Sequence, residues 1–208
     1  MNNNEVQKVV TVEEINRLTD LALRGDAEAQ NELAVCYYYG EGMEQDHSKI
    51  EYWLNQAAAQ DYALAQYNLG EYYYEKTLED NYLSETEYEA CCQKAFYWFS
   101  KAANQGNSDA MVRLSNCYGL GIGVKYDQEK ASEWLHKSAE LGNSLAQSAV
   151  GIEAMLASND EEAIKWFRLS AAQGNDFSQR ELDNYRLGWQ KSLDSAKVIH
   201  HNPLIHNK

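Results

Sequence analysis

Residues able to do chemistry are present in this chain, but their spacing does not assemble them. Gly119-Leu120-Gly121-Ile122-Gly123 has the outline of a phosphate loop, which needs a strand before it and a helix opened by backbone N–H groups after it. Here it follows a helical stripe, and two of its glycines recur as Gly40 and Gly42, so turn punctuation accounts for it. No HExxH, Walker loop, GxSxG or paired CxxC occurs in the 208 residues. His47 and His136 have no ligand-spaced companion, and His200, His201 and His206 sit in the closing HHNPLIHNK, so no metal site and no cofactor is expected. Asp and Glu are plentiful without any pair standing out. The sequence predicts a protein that is not an enzyme; the alternative would hide an active site in an irregular fourth repeat.

The cysteines are equally uninformative as nucleophiles. Cys36 and Cys117 each lie eleven residues after a repeat glycine, in equivalent slots two repeats apart. At ordinary helix spacings that is about 20 Å, too far for a bridge. Cys91 and Cys92 are adjacent on a predicted helix. Four unpaired thiols fit a reducing compartment. The opening MNNNEVQKVVTVEE has neither a basic n-region nor an apolar h-region, and a cytoplasmic location is expected.

Charge and tyrosine carry more. The net charge of −14 is lopsided: residues 1–90 hold 19 acidic and 5 basic side chains, whereas 91–208 hold 13 of each. A one-sided negative field repels nucleic acid and anionic lipid and speeds encounter with a basic partner. Neither nucleic acid nor membrane is expected as a partner. Tyrosine occurs 15 times, including Tyr37-Tyr38-Tyr39 and Tyr72-Tyr73-Tyr74. Three consecutive helical residues span about 200 degrees, so at least one tyrosine of each triplet should reach the surface, where tyrosines favour binding hot spots.

These side chains are positioned by a repeat. WLNQAAAQD from Trp53, WFSKAANQG from Trp98, WLHKSAELG from Trp134 and WFRLSAAQG from Trp166 are four versions of one segment. Their closing residues Asp61, Gly106, Gly142 and Gly174, with Gly25 before them, are spaced 36, 45, 36 and 32 residues apart. A fixed period of this size marks a solenoid of stacked units. Within a unit, Ala27, Ala29, Leu33 and Tyr37, or Ala63, Ala65, Leu69 and Tyr73, lie on one face of a first helix. Gly40 and Gly42 close it, Asp46 or Asp127 caps a second helix, and the Trp segment forms that helix. Thr11 with Glu14 and Ser84 with Glu87 read as capping boxes. Thr11 to Arg24 looks like a half-repeat cap with Arg17 in the Trp slot.

The predicted fold is all-α: an α/α superhelical solenoid of about four helix-turn-helix repeats with an N-terminal capping helix and a C-terminal helix. A disordered segment 1–10 precedes a single body over 11–198, with repeats at 25–60, 61–105, 106–141 and 142–173, a partial one at 174–198, and a flexible tail at 199–208. Repeat two gains nine residues between about Lys76 and Glu89, read as an acidic loop, and repeat four loses four together with its turn glycines.

The ordered set of small residues, Gln, Leu, Tyr, Gly-x-Gly, Asp, Trp, Ala-Ala and Gly at this step resembles the Sel-1-like repeat, a relative of the tetratricopeptide repeat. The resemblance implies a groove lined by the first helices that binds proteins or peptides, as in adaptors, and in some bacterial members neutralises toxins. Secreted relatives with a disulfide in each repeat differ from this chain, which has Ala57-Ala58 and Ala102-Ala103 at the corresponding places.

Groove positions off the repeat framework are Glu28, Asn31, Glu32, Val35 and Tyr39 in the first unit, Leu64, Tyr67, Asn68, Glu71, Tyr74 and Glu75 in the second, and Asp109, Val112, Arg113, Asn116 and Leu120 in the third. The first two rows are acidic and aromatic, suited to a basic segment whose guanidinium groups stack on tyrosine. The expected function is capture of a basic protein partner, with a bacterial immunity protein against a toxin such as a nuclease as its narrow form. The alternative is a general scaffold or regulator.

Overall fold

A glycine followed by a short polar acceptor punctuates the chain. Gly25, Gly106 and Gly142 take φ of 94°, 90° and 92°, a left-handed conformation open to glycine without a Cβ clash. The following Asp26, Asn107 or Asn143 accepts a hydrogen bond from the backbone N–H three residues on, at 2.8, 2.8 and 3.0 Å. One helix is ended and the next is capped within two residues. Asp61 holds the same slot at φ 57°, which aspartate tolerates better than most residues.

The computed structural model describes residues 11–79 and 83–200, with the side chains of 79 and 189–200 excepted. Among the described residues there are ten helices and no strand: α1 (Val12–Leu23), α2 (Ala27–Tyr39), α3 (His47–Ala58), α4 (Ala63–Glu79), α5 (Glu85–Asn104), α6 (Ser108–Leu120), α7 (Gln128–Glu140), α8 (Ser144–Leu156), α9 (Asp160–Ala171) and α10 (Asp176–His200). None is long and apolar enough to cross a membrane. The expected N-terminal segment 1–10 and the tail from 201 lie outside the described residues. Two compact units divide the chain, Met1–Trp134 and Leu135–Lys208.

In the first unit each helix packs on its chain neighbours from α1 through α6, and α2 also touches α4. The core is built from Leu33, Ile50, Leu54, Leu69 and Phe99, each at most 3% exposed. Trp53 is buried in the same cluster, while Arg17, in the corresponding slot of α1, is exposed as a terminal cap requires. In the second unit α9 packs against both α8 and α10, around Ile164, Trp166 and Phe167.

Two devices set how close the helices come. The first is a match of sizes within each hairpin. Gly70 on α4 faces Phe99 on α5, and Gly151 on α8 faces Phe167 on α9; a Cβ on either glycine would stand 2.6 or 2.7 Å from the ring. Where the residue after the Trp is Leu54, the glycine slot holds Ala34, and both are core residues of one cluster. The second is a buried glutamine. Gln30, Gln66 and Gln147 donate to the carbonyls of Ala22, Ala58 and Ala139, near the end of the preceding helix. Each accepts in turn from Gln60, Gln105 or Gln173 at 2.9, 2.7 and 2.8 Å. The third repeat carries Met111 and Leu141 in these two slots, so both polar groups change to apolar ones together.

One sequence expectation is corrected. The acidic insertion is not mainly a loop: α4 runs on to Glu79 and α5 opens at Glu85 behind the Ser84–Glu87 capping box, so most of the extra residues lengthen the two helices. The extended start of α5 supports the next turn, where a Cβ on Gly123 would collide with the Cys92 carbonyl. Repeat four dispenses with its turn glycines because Ser158 takes φ 57° and Asn159 caps α9. In the second tyrosine triplet Tyr72 and Tyr73 are buried, with hydroxyls directed to Glu51 at 3.3 and 2.8 Å, and Tyr74 is the member that stays partly exposed, in line with the expectation of at least one.

Overpacking a tight core costs about 1–3 kcal/mol, and Gly70→Ala is expected to fall in that range by urea denaturation. Adding Phe99→Leu should recover part of the loss through a coupling of at least about 0.5 kcal/mol. Strictly additive losses would show that the two positions do not share one space.

Candidate partner-binding face

The first helices of the first unit carry the predicted groove residues. On α2, Glu28 and Glu32 are exposed one turn apart, Val35 is half-buried and Tyr39 is 64% exposed. Asn31 is buried. A groove of about 620 Å³ opens between α1 and α2. Leu18, Leu21 and Val35 give it apolar walls, and Glu14, Asp26, Glu28, Glu32 and Glu41 surround them with carboxylates against Arg17 alone. α1 was missed as a contributor at the sequence level; the signal available was its pairing of Leu18 and Leu21 with the acidic Glu13, Glu14 and Asp20.

The second row, on α4, is tied into the protein. Leu64 is exposed, while Tyr67, Asn68, Glu71, Tyr74 and Glu75 are half-buried. Asn68 donates to Asn31 at 2.8 Å, and the Tyr38 hydroxyl donates to Glu75 at 2.8 Å, each pair 37 residues apart. The polar residues of one first helix are thus held by those of the next. Val35, Tyr39, Tyr67, Asn68, Glu71 and Glu75 come together around a second cavity of about 220 Å³ between α2 and α4.

On α6, Asp109 and Asn116 are exposed and Arg113 is half-buried. Arg113 lies against Glu71: Nη2 donates to Oε2 at 2.6 Å, and Nε sits 2.6 Å from Oε1. Oε1 is buried, so this ion pair is shielded from water. The guanidinium carbon is also 5.4 Å from the centre of the Tyr74 ring. Burial pushes the Glu71 carboxyl above its ordinary range, against the opposing pull of Arg113. Glu71 and Tyr74 are therefore already occupied by an arginine of the chain itself, and the free negative surface is concentrated toward α1 and α2.

Gly121 and Gly123, at φ 73° and 65°, close α6 into its turn. Cys36, Cys91, Cys92 and Cys117 are free, and burial pushes the Cys117 thiol up to about 12. His136 Nδ1 lies 3.7 Å from Glu153. Among the described residues no group of three His, Cys, Asp or Glu side chains could hold a metal ion.

The Sel1 repeat model matches residues 27–62, 63–76, 92–107, 108–143 and 146–175. The chain is a member of the Sel1 repeat family. Its matched segments fall on the hairpins described above and break off between 76 and 92, where the helices are lengthened. A Sel1 repeat protein of Oxalobacter formigenes has a similar structure, with 27% identity and a TM-score of 0.70 over 82% of this chain and 67% of that one. The immunity protein Pa5087 of Pseudomonas aeruginosa shares the fold at 21% identity and a TM-score of 0.54, over 80% of this chain and 60% of that one. Chitin synthase regulatory factor 3 of Schizosaccharomyces pombe is 29% identical over 135 residues. Those residues are 64% of this chain but 14% of that protein, so the chain spans a small part of this curated relative. Sel1 repeats are protein-interaction scaffolds, which moves attention from catalysis to surface.

Removing Arg113 leaves a half-buried Glu71 carboxylate without its cation. Arg113→Ala is expected to cost about 1–2 kcal/mol at pH 7, between the values for exposed and buried ion pairs. The Glu71 pKa is already raised, and the substitution raises it further. The penalty is then full above that pKa and fades as falling pH protonates Glu71. Urea denaturation at pH 7 and pH 4 checks this: a loss as large at pH 4 would assign the cost to packing instead.

Proposed function

We propose that this chain is a non-catalytic, cytoplasmic binding module that captures a basic protein partner on the first-helix face of its N-terminal repeats. The observation that carries this is the groove between α1 and α2, with apolar walls of Leu18, Leu21 and Val35 inside five carboxylates and one arginine. Apolar walls supply contact energy, and the carboxylates select a segment rich in Lys and Arg and hasten its arrival. The N-terminal charge surplus extends that field over the same repeats. Exposed Tyr39 adds aromatic contact area at the end of α2.

In its narrow form the partner is a toxin or effector, such as a nuclease, whose basic substrate cleft is covered by the acidic face, and the chain is its bacterial immunity protein. The name of the Pseudomonas aeruginosa relative indicates that this fold serves such a role elsewhere. A scaffold or regulatory role is the second reading, favoured by the name of the Schizosaccharomyces pombe relative.

Affinity capture from native lysate followed by purification of the partner provides the assay. Glu28→Lys with Glu32→Lys, both exposed, should preserve helicity by circular dichroism and weaken partner binding at least tenfold. The association rate should drop steeply between low and physiological salt. Retained affinity in the charge-reversed variant would sink the acidic-face reading, and a salt-insensitive rate would favour the scaffold.

A further inference from the structure

The cavity between α2 and α4 is built differently from the open groove beside α1. Its volume of about 220 Å³ falls below the roughly 300 Å³ of small-molecule pockets, a size that suits one inserted side chain. The floor reaches the core at Ile50 and Leu54, 2% and 3% exposed. Tyr39, Tyr67 and Glu75 also line it. A side chain entering here meets apolar, aromatic and carboxylate groups in one cavity.

We infer that this cavity receives an arginine side chain of the partner, its methylenes against the apolar and aromatic lining, its guanidinium paired with Glu75 and stacked on Tyr39. The inference rests on the proposed capture of a basic partner and names its anchor. The chain already contains the same recognition one helical turn away. Arg113 places its guanidinium on Glu71, with Nη2 2.6 Å from Oε2, and lies over the Tyr74 ring at 5.4 Å. Glu75 follows Glu71 by four residues on α4 and accepts from the hydroxyl of Tyr38, another lining residue, at 2.8 Å, which fixes its carboxylate without adding a positive charge. Tyr38 packs edge-on to Tyr39 with ring centres 4.9 Å apart, leaving Tyr39 64% exposed. Glu75 and Tyr39 line the same cavity and offer the residue types of the Glu71 and Tyr74 pair.

Arginine is favoured over lysine because a planar guanidinium offers two parallel donors to one carboxylate and stacks on an aromatic ring, whereas an ammonium is a point charge. Charge complementarity agrees: the cavity adjoins the acidic groove through Val35, which lines both. A basic segment lying along α2 would place successive side chains over the groove and into the cavity.

The test uses the full chain, isotopically labelled for NMR, with the blocked tripeptides Ac-Ala-Arg-Ala-NH2 and Ac-Ala-Lys-Ala-NH2 as probes. The arginine peptide should shift the amide resonances of Tyr39, Asn68 and Glu75 saturably, and the lysine peptide should bind at least tenfold more weakly. Glu75→Gln and Tyr39→Ala should each weaken the arginine peptide at least fivefold while leaving the dispersion of the spectrum intact. Equal affinity for the two peptides, or no saturable shift at those three residues, would overturn the inference. The wider reading fails separately: a natural partner that binds Tyr39→Ala and Glu75→Gln as well as the wild type, but loses the Glu28→Lys/Glu32→Lys variant, rejects the arginine pocket and keeps the acidic face.

Discussion

A helix that stops inside a packed stack leaves carbonyls that must find donors away from water. In this protein a buried glutamine meets that need three times. Gln30, Gln66 and Gln147 each reach back to the carbonyl of an alanine in the preceding helix and take a hydrogen bond from a second glutamine at the end of the hairpin. The contact fixes the register of one helix against the next. The φ-positive glycine and the capping Asp or Asn that follow it can then restart the chain at the same angle. Where the pattern lapses, at Met111 and Leu141, both partners change, as expected if neither polar group is tolerable alone.

Once that register is set, the first-helix face of the N-terminal unit inherits two tasks. Asn31 with Asn68, Tyr38 with Glu75, and Glu71 with Arg113 join one repeat to the next. The same rows supply the binding surface. Residues used as ties are half-buried and held in place, which lowers the ordering cost of any contact they make. Residues left over, such as Glu28, Glu32 and Tyr39, remain exposed beside them. The negative surface is consequently narrower than a count of carboxylates suggests, because Arg113 answers Glu71 and the free charge lies around α1 and α2.

Much of the scaffold could be read from the sequence. The 36-residue step located the hairpins, and the capping boxes at Thr11–Glu14 and Ser84–Glu87 form as their spacing implies. Asp46 and Asp127 cap α3 and α7 through backbone N–H groups of Lys49 and Lys130. The insertion was harder to read, because its acidic residues suggested a loop while its ends continue two helices. The fate of the tyrosine triplets depended on Glu51, a residue of another helix that draws the hydroxyls of both Tyr72 and Tyr73 inward. Arg113 was named for the groove, but its partner stands 42 residues earlier, at a register set by helix packing and absent from any local pattern.

Hydrogen–deuterium exchange of the chain alone and in complex with its purified partner tests the central claim most directly. Binding on the first-helix face should slow exchange in α1, α2 and α4, with α3 and α9 unchanged. Protection confined to α3 or to the second unit, with α2 and α4 exchanging as in the free protein, would contradict it.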